Sequence, residues 1–302
     1  MNAHVTDGIE RPLDLQDAEA VCDTLKRAAD ILLHREGRDG AVQWLPDHGR
    51  LLATGDLHDN PRHYRLIMRL AGLERSADRH VVLHELIHGD HLIHGTDLSY
   101  RTLCRVASAV IAYPRQVHPI IGNHEVSQAY KLRVSKGFGE QVALFDAGLD
   151  LIFGSSAQDV SDAVDHFMLS MPLVLRSPWG HFVSHSTPGP MQLPGFDTSI
   201  FRRPLCAADF APLCGPAWQM VWGRGQTRES TARFLELVDA RLLICGHAMV
   251  ETGVESRGPQ MLILNSDHEH GAVVPIELDG PPRSAEELVM ESLPLRAFQE
   301  VE

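Results

Sequence analysis

Side chains that bind metal ions recur in this sequence directly after short apolar runs. The recurring pieces are Gly55-Asp56-Leu57-His58, Gly89-Asp90, Gly122-Asn123-His124-Glu125, Ser184-His185 and Gly246-His247. Side chains at the carboxyl ends of strands converge on one edge of an α/β sheet, where ligands bind. Carboxylate, imidazole and amide groups together suit hard or borderline metals. The pattern therefore predicts a site for a pair of divalent metal ions.

Histidine is abundant, and the overall charge is acidic. The 302 residues include 18 histidines, and 27 basic against 40 acidic residues give a formal net charge of −13. This balance argues against a nucleic-acid backbone or an anionic membrane as the main partner. It leaves room for a small anion at the site, because bound metal ions would make the local charge there opposite to the global one.

The compartment is predicted from cysteine usage and from the N-terminus. The five cysteines are scattered and form no C-x-x-C pair, which disfavours a disulfide framework or a cysteine zinc site. The first 15 residues contain three acidic side chains and no apolar run, so they do not resemble a signal peptide. We expect a cytoplasmic protein.

Hydrophobic periodicity predicts the elements that position the polar pieces. Amphipathic helices are expected at Asp17–His34, His63–Leu73 and Leu98–Tyr113. Strands are expected at Arg50–Thr54, Val81–Ile87, Val117–Ile121, Phe182–Ser184, Leu242–Cys245, Met261–Leu264 and Val273–Ile276. Alternation of strands and helices indicates an α/β layered fold.

The segment His84-Glu85-Leu86-Ile87-His88 also matches H-E-x-x-H, the zinc peptidase motif. On a helix, His84 and His88 would share one face and bind zinc, with Glu85 as general base. The apolar run Val81-Val82-Leu83 leads directly into the motif and favours a strand. A peptidase would also leave the other strand-end pieces unexplained.

The order of those pieces resembles the calcineurin-like metallophosphoesterases, and within them the phosphoprotein phosphatase branch. That branch has G-D-x-x-D-R-G, a helix, Tyr-Pro and then G-N-H-E. Here Gly89-Asp90 precedes a predicted helix, Tyr113-Pro114 and Gly122–Glu125. The branch's later Arg-Gly and G-H-x-x-V-E-x-G correspond to Arg224-Gly225 and Gly246–Gly253. The resemblance runs from about residue 51 to residue 264.

The resemblance implies a four-layer α/β/β/α sandwich with a dinuclear metal site at strand ends. It implies that two ions, Mn, Fe or Zn, are bound by Asp56, His58, Asp90, Asn123, His185 and His247. Asp90 would bridge the two ions, although Glu85, which directly follows an apolar run, is an alternative bridge. His124 would be the general acid, and Arg224 would be catalytic by binding the phosphate.

Two positions depart from the branch's pattern. The second Asp of G-D-x-x-D-R-G is Ile93 here, and its Arg is His94, which is left as a weaker substrate-binding candidate. In the branch that Asp supports the catalytic histidine and that Arg contacts phosphate. Histidine in place of arginine loses a bidentate contact and a permanent charge.

The expected organisation is a helical extension over residues 1–40, a catalytic domain over 41–280 and a tail over 281–302. The expected activity is metal-dependent hydrolysis of phosphomonoesters, as in serine/threonine protein phosphatases. The alternatives are hydrolysis of diadenosine polyphosphates or other small phosphate compounds, an H-E-x-x-H zinc peptidase, and a weakly active scaffold relative.

Overall fold

Two β-sheets pack face to face, and helices cover their outer surfaces, in a computed structural model that describes residues 13–132 and 135–298. The strands are β1 Arg38–Asp39, β2 Val42–Trp44, β3 Arg50–Thr54, β4 Arg79–Leu83, β5 Val117–Pro119, β6 Val174–Arg176, β7 His181–Ser184, β8 Leu242–Cys245, β9 Val254–Ser256, β10 Met261–Leu264, β11 Ala272–Glu277 and β12 Leu293–Pro294. The α-helices are α1 Ala18–His34, α2 Pro61–Ala71, α3 Tyr100–Ala112, α4 Asn123–Ala129, α5 Ser135–Phe153, α6 Ala157–Ser170, α7 Pro216–Trp222, α8 Arg228–Leu237 and α9 Ala285–Val289.

Each sheet contains a parallel block whose strands run towards one edge. The five-stranded sheet has the order β12-β11-β3-β4-β5, and β3, β4 and β5 are parallel to one another. The seven-stranded sheet has the order β1-β2-β6-β7-β8-β10-β9, and β7, β8 and β10 are parallel. The carboxyl ends of these parallel strands are where the polar pieces of the sequence begin.

A buried apolar layer fills the space between the sheets. Alternation along β3 illustrates how the sequence builds it: Leu51 and Ala53 pack in the layer between the sheets, whereas Leu52 packs with the larger core that includes the helices. This is the period of two expected for a strand that is buried on both faces. On the outside, α2 packs on β3 and β4, α3 on β5, and α8 on β8. The predicted layers of helix, sheet, sheet and helix are therefore confirmed.

Most predicted elements appear with small shifts at their ends. The strands over 50–54, 242–245 and 261–264 are found as predicted, and the first helix begins one residue later, after the Asp17 side chain accepts the backbone N–H groups of Glu19 and Ala20. The strand expected over 81–87 ends at Leu83. Helices α5 and α6 were not predicted. No helix within the described ranges is long and apolar enough to cross a bilayer.

Both terminal segments pack into the body of the protein. Helix α1, in the expected N-terminal extension, packs against α3 and α6 and buries Val21, Leu25 and Leu32 completely. In the expected C-terminal tail, β12 pairs with β11 and Leu295 is completely buried. The domain limits remain a prediction, but residues 18–34 and 285–295 contribute directly to the core.

We predict that Leu25→Ala lowers the free energy of unfolding by about 2–5 kcal/mol, because it removes a buried side chain and leaves a cavity. The control is Leu33→Ala on the same helix, where the side chain is 39% exposed, so that little change is expected. Urea denaturation followed by circular dichroism measures both. Equal stability of the two variants would show that α1 is not integral to the fold.

Candidate metal centre

The polar pieces meet where the parallel strands of both sheets end. Asp56 follows β3, and His84 and Glu85 follow β4. His185 follows β7, and His247 follows β8. All five are buried, and contacts between them join the two sheets at this edge. The sheet ends therefore converge as the sequence predicted.

Four possible ligand atoms surround one point beside His185. Nε2 of His185 lies 2.7 Å from Oδ1 of Asn123, 3.1 Å from Nδ1 of His247 and 3.2 Å from Oε2 of Glu85. Oε2 of Glu85 is buried and has no hydrogen-bond partner among the described residues. A buried carboxylate oxygen without a partner is costly, and a cation between these atoms would remove the cost. The donor set therefore fits a divalent metal ion.

A second group lies on the other side of Glu85. One ligand atom from each of His58, Glu85 and His124 lies within 4.8 Å of the others. Nδ1 of His58 donates a hydrogen bond to the carbonyl oxygen of Ile87 at 3.3 Å. The lone pair on Nε2 of that ring is then available for a metal ion. A histidine held in this way by a backbone carbonyl is typical of metal ligands. Glu85 is common to both groups and is placed to be a shared ligand.

Asp56 is held beside these groups by the backbone of the opposite sheet. Both carboxylate oxygens of Asp56 lie 3.0 Å from the backbone nitrogen of His247, which donates to them. Oδ1 also lies 3.7 Å from Nδ1 of His84 and 3.6 Å from Nδ1 of His185. The hydrogen bond from the backbone N–H of His247 to the Asp56 carboxylate couples the end of β3 to the end of β8.

Burial favours the neutral form of both the carboxyl and the imidazole groups in this cluster. Burial, with the nearby Glu125 and Asp56 carboxylates, raises the pKa of Glu85 well above its usual range. Burial and neighbouring imidazoles lower the pKa of His185 well below its usual range, and burial and Arg224 lower that of His247 to about 3. Neutral imidazoles are the form that binds metal ions. A divalent cation would stabilise the ionised form of Glu85.

Two glycines are required by the close approach of the ligands. A Cβ on Gly122 would lie 2.1 Å from Oε2 of Glu85, and a Cβ on Gly246 would lie 2.2 Å from Oδ1 of Asp56. Neither distance is possible for real atoms. The glycine that precedes Asn123, and the one that precedes His247, therefore make room for a carboxylate that comes from another strand.

Glu125 of the G-N-H-E motif plays a structural role. Its Oε1 accepts the backbone N–H of Leu86 at 2.7 Å, and its Oε2 accepts that of Gly122 at 3.0 Å. The carboxylate thus caps the start of α4 and ties it to the segment after β4. These two hydrogen bonds hold Asn123 and His124 opposite Glu85.

Most predicted site residues come together. Those in or beside the two groups are Asp56, His58, Asn123, His124, His185, Arg224 and His247. Arg224 is exposed, and its Nη1 donates to the carbonyl oxygen of His247 at 2.8 Å. Asp90 and His94 are exposed and lie outside both groups. The bridging role of Asp90 stays a prediction that its exposed position does not favour, whereas the Glu85 carboxylate contacts residues of both groups.

The residues 84–88 do not form a helix, which contradicts the zinc peptidase interpretation. Glu85 and His88 have positive φ angles of 52° and 60°, and β4 ends just before them. Nδ1 of His84 lies 3.1 Å from Nδ1 of His185, whereas Nδ1 of His88 lies 2.8 Å from Oδ2 of Asp97. The two histidines therefore have different partners and do not share one face.

Two features of the sequence point to different residues in this segment. A glycine before Asp90 and the downstream spacing favoured that residue, yet the apolar run of β4 leads directly to Glu85. If Glu85 takes the place of the first Asp in G-D-x-x-D-R-G, then His88, three residues later, takes the place of the second. The contacts of His84 and His88 were not predicted.

Two sheets flanked by helices bring carboxylate, imidazole and amide groups together at one edge, where they could hold metal ions. A family model of the calcineurin-like phosphoesterases matches residues 49–251, and the chain belongs to this family. It is a metallophosphoesterase, and the family uses two divalent metal ions. None of the curated proteins compared with the chain matches it.

Two solved structures have a similar fold. A serine/threonine phosphatase from Saccharomyces cerevisiae with similarity to human phosphatase PP5 has a TM-score of 0.62 and 14% identity, over 86% of this chain and 82% of that chain. A cold-active protein-tyrosine phosphatase of a psychrophilic Shewanella species has a TM-score of 0.53 and 13% identity, over 85% of this chain and 84% of that chain.

We predict that Glu85→Gln weakens binding of Mn²⁺ at both positions, because one shared carboxylate is lost. Asp90→Asn, which changes an exposed carboxylate in the same way, is the matched control and should bind as the unsubstituted protein does. Isothermal titration with Mn²⁺ and metal analysis after gel filtration measure the effect. The reverse order of the two variants would restore Asp90 as the bridging residue.

Proposed function

We propose that this chain hydrolyses phosphomonoesters, with phosphoserine and phosphothreonine in proteins as the substrate class. The observation that carries the proposal is the convergence of Glu85, Asn123, His185 and His247 on one point, beside the group of His58 and His124. One ion would be held by Asp56, His58 and Glu85, and the other by Glu85, Asn123, His185 and His247. The ligand chemistry suits Mn, Fe or Zn.

When bound, the two ions would lower the pKa of a water molecule and neutralise the phosphate oxygens. In the reaction, a water oxygen forms a bond to phosphorus and the ester P–O bond breaks, without a phosphorylated enzyme. The leaving alkoxide takes up a proton from His124. Arg224 binds two phosphate oxygens through its planar guanidinium group.

His124 is placed for this proton transfer. Its Nε2 lies 3.3 Å from Oε1 of Glu85, and its ring centroid lies 4.9 Å from that of His58. Burial and the nearby imidazoles lower the pKa of His124 well below its usual range. The negative charge of a bound phosphate favours the protonated ring and so opposes this effect.

His88 is proposed as the residue that positions His124. Its ring centroid lies 5.5 Å from that of His124, and its Nδ1 donates to Asp97. The other oxygen of Asp97 accepts the backbone N–H of Ser99 at 2.8 Å, which fixes the carboxylate. His88, held in place by Asp97, would thus take the role of the second Asp in the branch's motif, which this chain lacks.

Exposed side chains beside the site favour a protein substrate over a small one. Arg224 is exposed, and Met249, two residues after His247, is 70% exposed. A phosphate on a protein surface can reach an exposed guanidinium, and an apolar side chain beside it can contact the residues that flank the phosphate. The two structural relatives named above are also phosphatases of proteins.

A cytoplasmic location remains part of the proposal. All five cysteines are free, and three of them are buried. Cysteines that stay unpaired are usual where thiols are kept reduced.

We predict Mn²⁺-dependent release of phosphate from an aryl phosphate and from phosphoserine peptides, and its loss in His247→Ala, which lacks a metal ligand. A panel that includes diadenosine polyphosphates separates the substrate classes. Faster hydrolysis of the polyphosphates than of phosphopeptides would replace the proposed substrate by the smaller one. Two bound ions with no hydrolysis of any compound would identify a scaffold relative.

We predict that His124→Asn lowers kcat for phosphopeptides by about 10²–10⁴-fold while two metal ions stay bound, because a proton donor is lost. The effect should be smaller for an aryl phosphate, whose leaving group needs less protonation. His91→Asn, which changes an exposed histidine, is the control and should keep full activity. An equal loss of kcat for both leaving groups would contradict the role as proton donor.

A further inference from the structure

A cavity of about 560 Å³ lies at the end of the two sheets opposite the metal centre. It lies beside the amino ends of β4 and β5, where His80 and His118 are the second residues of their strands, whereas the metal ligands follow the carboxyl ends of the parallel strands. Arg35, Gln43 and Trp44, from the ends of α1 and β2, also line it. Neither the sequence motifs nor the proposed mechanism uses this cavity.

Arg35 places in the wall a positive charge that no acidic side chain of the described residues balances. Its Nε donates to Oε1 of Gln43 at 2.7 Å, and its Nη1 donates to the carbonyl oxygen of Val117 at 2.9 Å. Its Nη2 is buried and has no hydrogen-bond partner in residues 13–132 and 135–298. Burial and the nearby Arg38 lower the pKa of Arg35 to about 9, so the side chain is still charged at neutral pH. A buried cation with only neutral partners is costly, and an anion beside it would reduce that cost.

The acidic groups of the cavity lie on its rim and have cationic partners of their own. Oε2 of Glu36 lies 2.8 Å from Nη2 of Arg115, and both side chains are exposed. Oδ1 of Asp78 lies 3.5 Å from Nε2 of His48, and these two side chains are exposed as well. Water and salt screen such exposed pairs, so they leave the charge of Arg35 without compensation.

Two buried imidazoles add polar groups that the described part of the chain does not satisfy. Nδ1 of His80 lies 3.1 Å from Nε2 of His118 and 3.2 Å from the carbonyl oxygen of Arg115. The other ring nitrogens, Nε2 of His80 and Nδ1 of His118, are buried and have no hydrogen-bond partner among the described residues. Buried polar atoms in proteins normally have partners, so their absence here is consistent with a wall that a ligand or ordered water completes.

The rest of the wall is apolar and partly aromatic. Trp44, Leu45 and Pro46 come from the end of β2 and the residues after it, and Tyr113 and Pro114 come from the segment after α3. Small-molecule sites have volumes of roughly 300–1,000 Å³, and the cavity falls in this range. A bare oxyanion would fill only a small part of it. A ligand that fills the cavity therefore needs an apolar body as well as a charged group.

We propose that this cavity binds a small organic anion, with a carboxylate or phosphate group on Arg35 and a flat apolar body against Trp44 and Tyr113. Both hydrogens of Nη2 and one of Nη1 remain for such a group, and the planar guanidinium suits two oxyanion oxygens at once. The site is separate from the metal centre. The proposal is therefore independent of the phosphatase activity, and failure of one leaves the other unchanged.

The test is a titration of the full chain, loaded with diamagnetic Zn²⁺, with benzoate and with phenylphosphonate, followed by ¹H–¹⁵N correlation spectra. We expect a shift of the indole N–H signal of Trp44, and the anion that binds more tightly identifies the charged group. Benzyl alcohol has a ring without the charge, and inorganic phosphate has the charge without a ring, so both should bind more weakly. No shift with either ring anion, or equally tight binding of benzyl alcohol, would overturn the proposal.

The variant Arg35→Gln removes the uncompensated charge. It should weaken binding of the tighter anion by about 10–100-fold, because a charge-assisted hydrogen bond is lost. The matched control is Arg115→Gln, whose side chain lines the same cavity but already pairs with Glu36, so that little change is expected. Equal weakening in the two variants would overturn the proposal, because it would show a general effect of charge.

The metal centre is the other place where an anion could bind. Arg224→Gln removes the arginine beside that centre and should leave the shift of the Trp44 signal unchanged. Loss of binding in Arg224→Gln, with binding kept in Arg35→Gln, would place the anion at the metal centre and overturn the proposal. If Arg35→Gln does not fold, Arg35→Lys keeps the charge with fewer donors and should weaken binding less, and the comparison of benzoate with benzyl alcohol still decides.

Discussion

The structure depends on a cluster of carboxylates and imidazoles that is held out of water where two sheets end. Asp56 and Glu85 are buried among His84, His185 and His247. Burial, together with neighbouring carboxyl groups, raises the pKa of Glu85, and burial, together with neighbouring imidazoles, lowers the pKa of His185, so that both groups favour the uncharged form. Such a cluster costs folding free energy unless a cation compensates for it. The rest of the fold supplies the rigidity that holds these groups together.

That rigidity comes from bonds that cross between elements. The backbone of His247 binds Asp56 across the sheets, and the Glu125 carboxylate binds the backbones of Leu86 and Gly122. The apolar layer between the sheets fixes their relative position, because close-packed side chains leave little freedom to shift. Buried polar contacts among Thr54, His84 and His185 also link the ends of β3, β4 and β7.

Local sequence patterns predicted much of the fold because strand and helix periodicity is a local property. The strands that precede Asp56, His185 and His247 were found within a residue or two of their predicted ends, and the side chains after them converge as parallel strands require. Helices α5 and α6 were missed. The packing of α1 and β12 into the core was also not predicted, because packing against residues far away in the chain cannot be recognised from a short stretch of sequence.

The order of residue types along the chain was enough to predict which polar side chains follow which strands, and hence the metal-binding character and the family of the protein. The tertiary structure was needed to show that Glu85 lies among the candidate ligands and Asp90 outside them, because these positions depend on where the chain leaves β4 and turns through positive φ at Glu85. It also decided that His84 and His88 have separate partners. Hydrogen-bond partners such as Thr54, Asp97 and His185 are brought to these residues by other strands and loops, and no spacing along the chain records that approach.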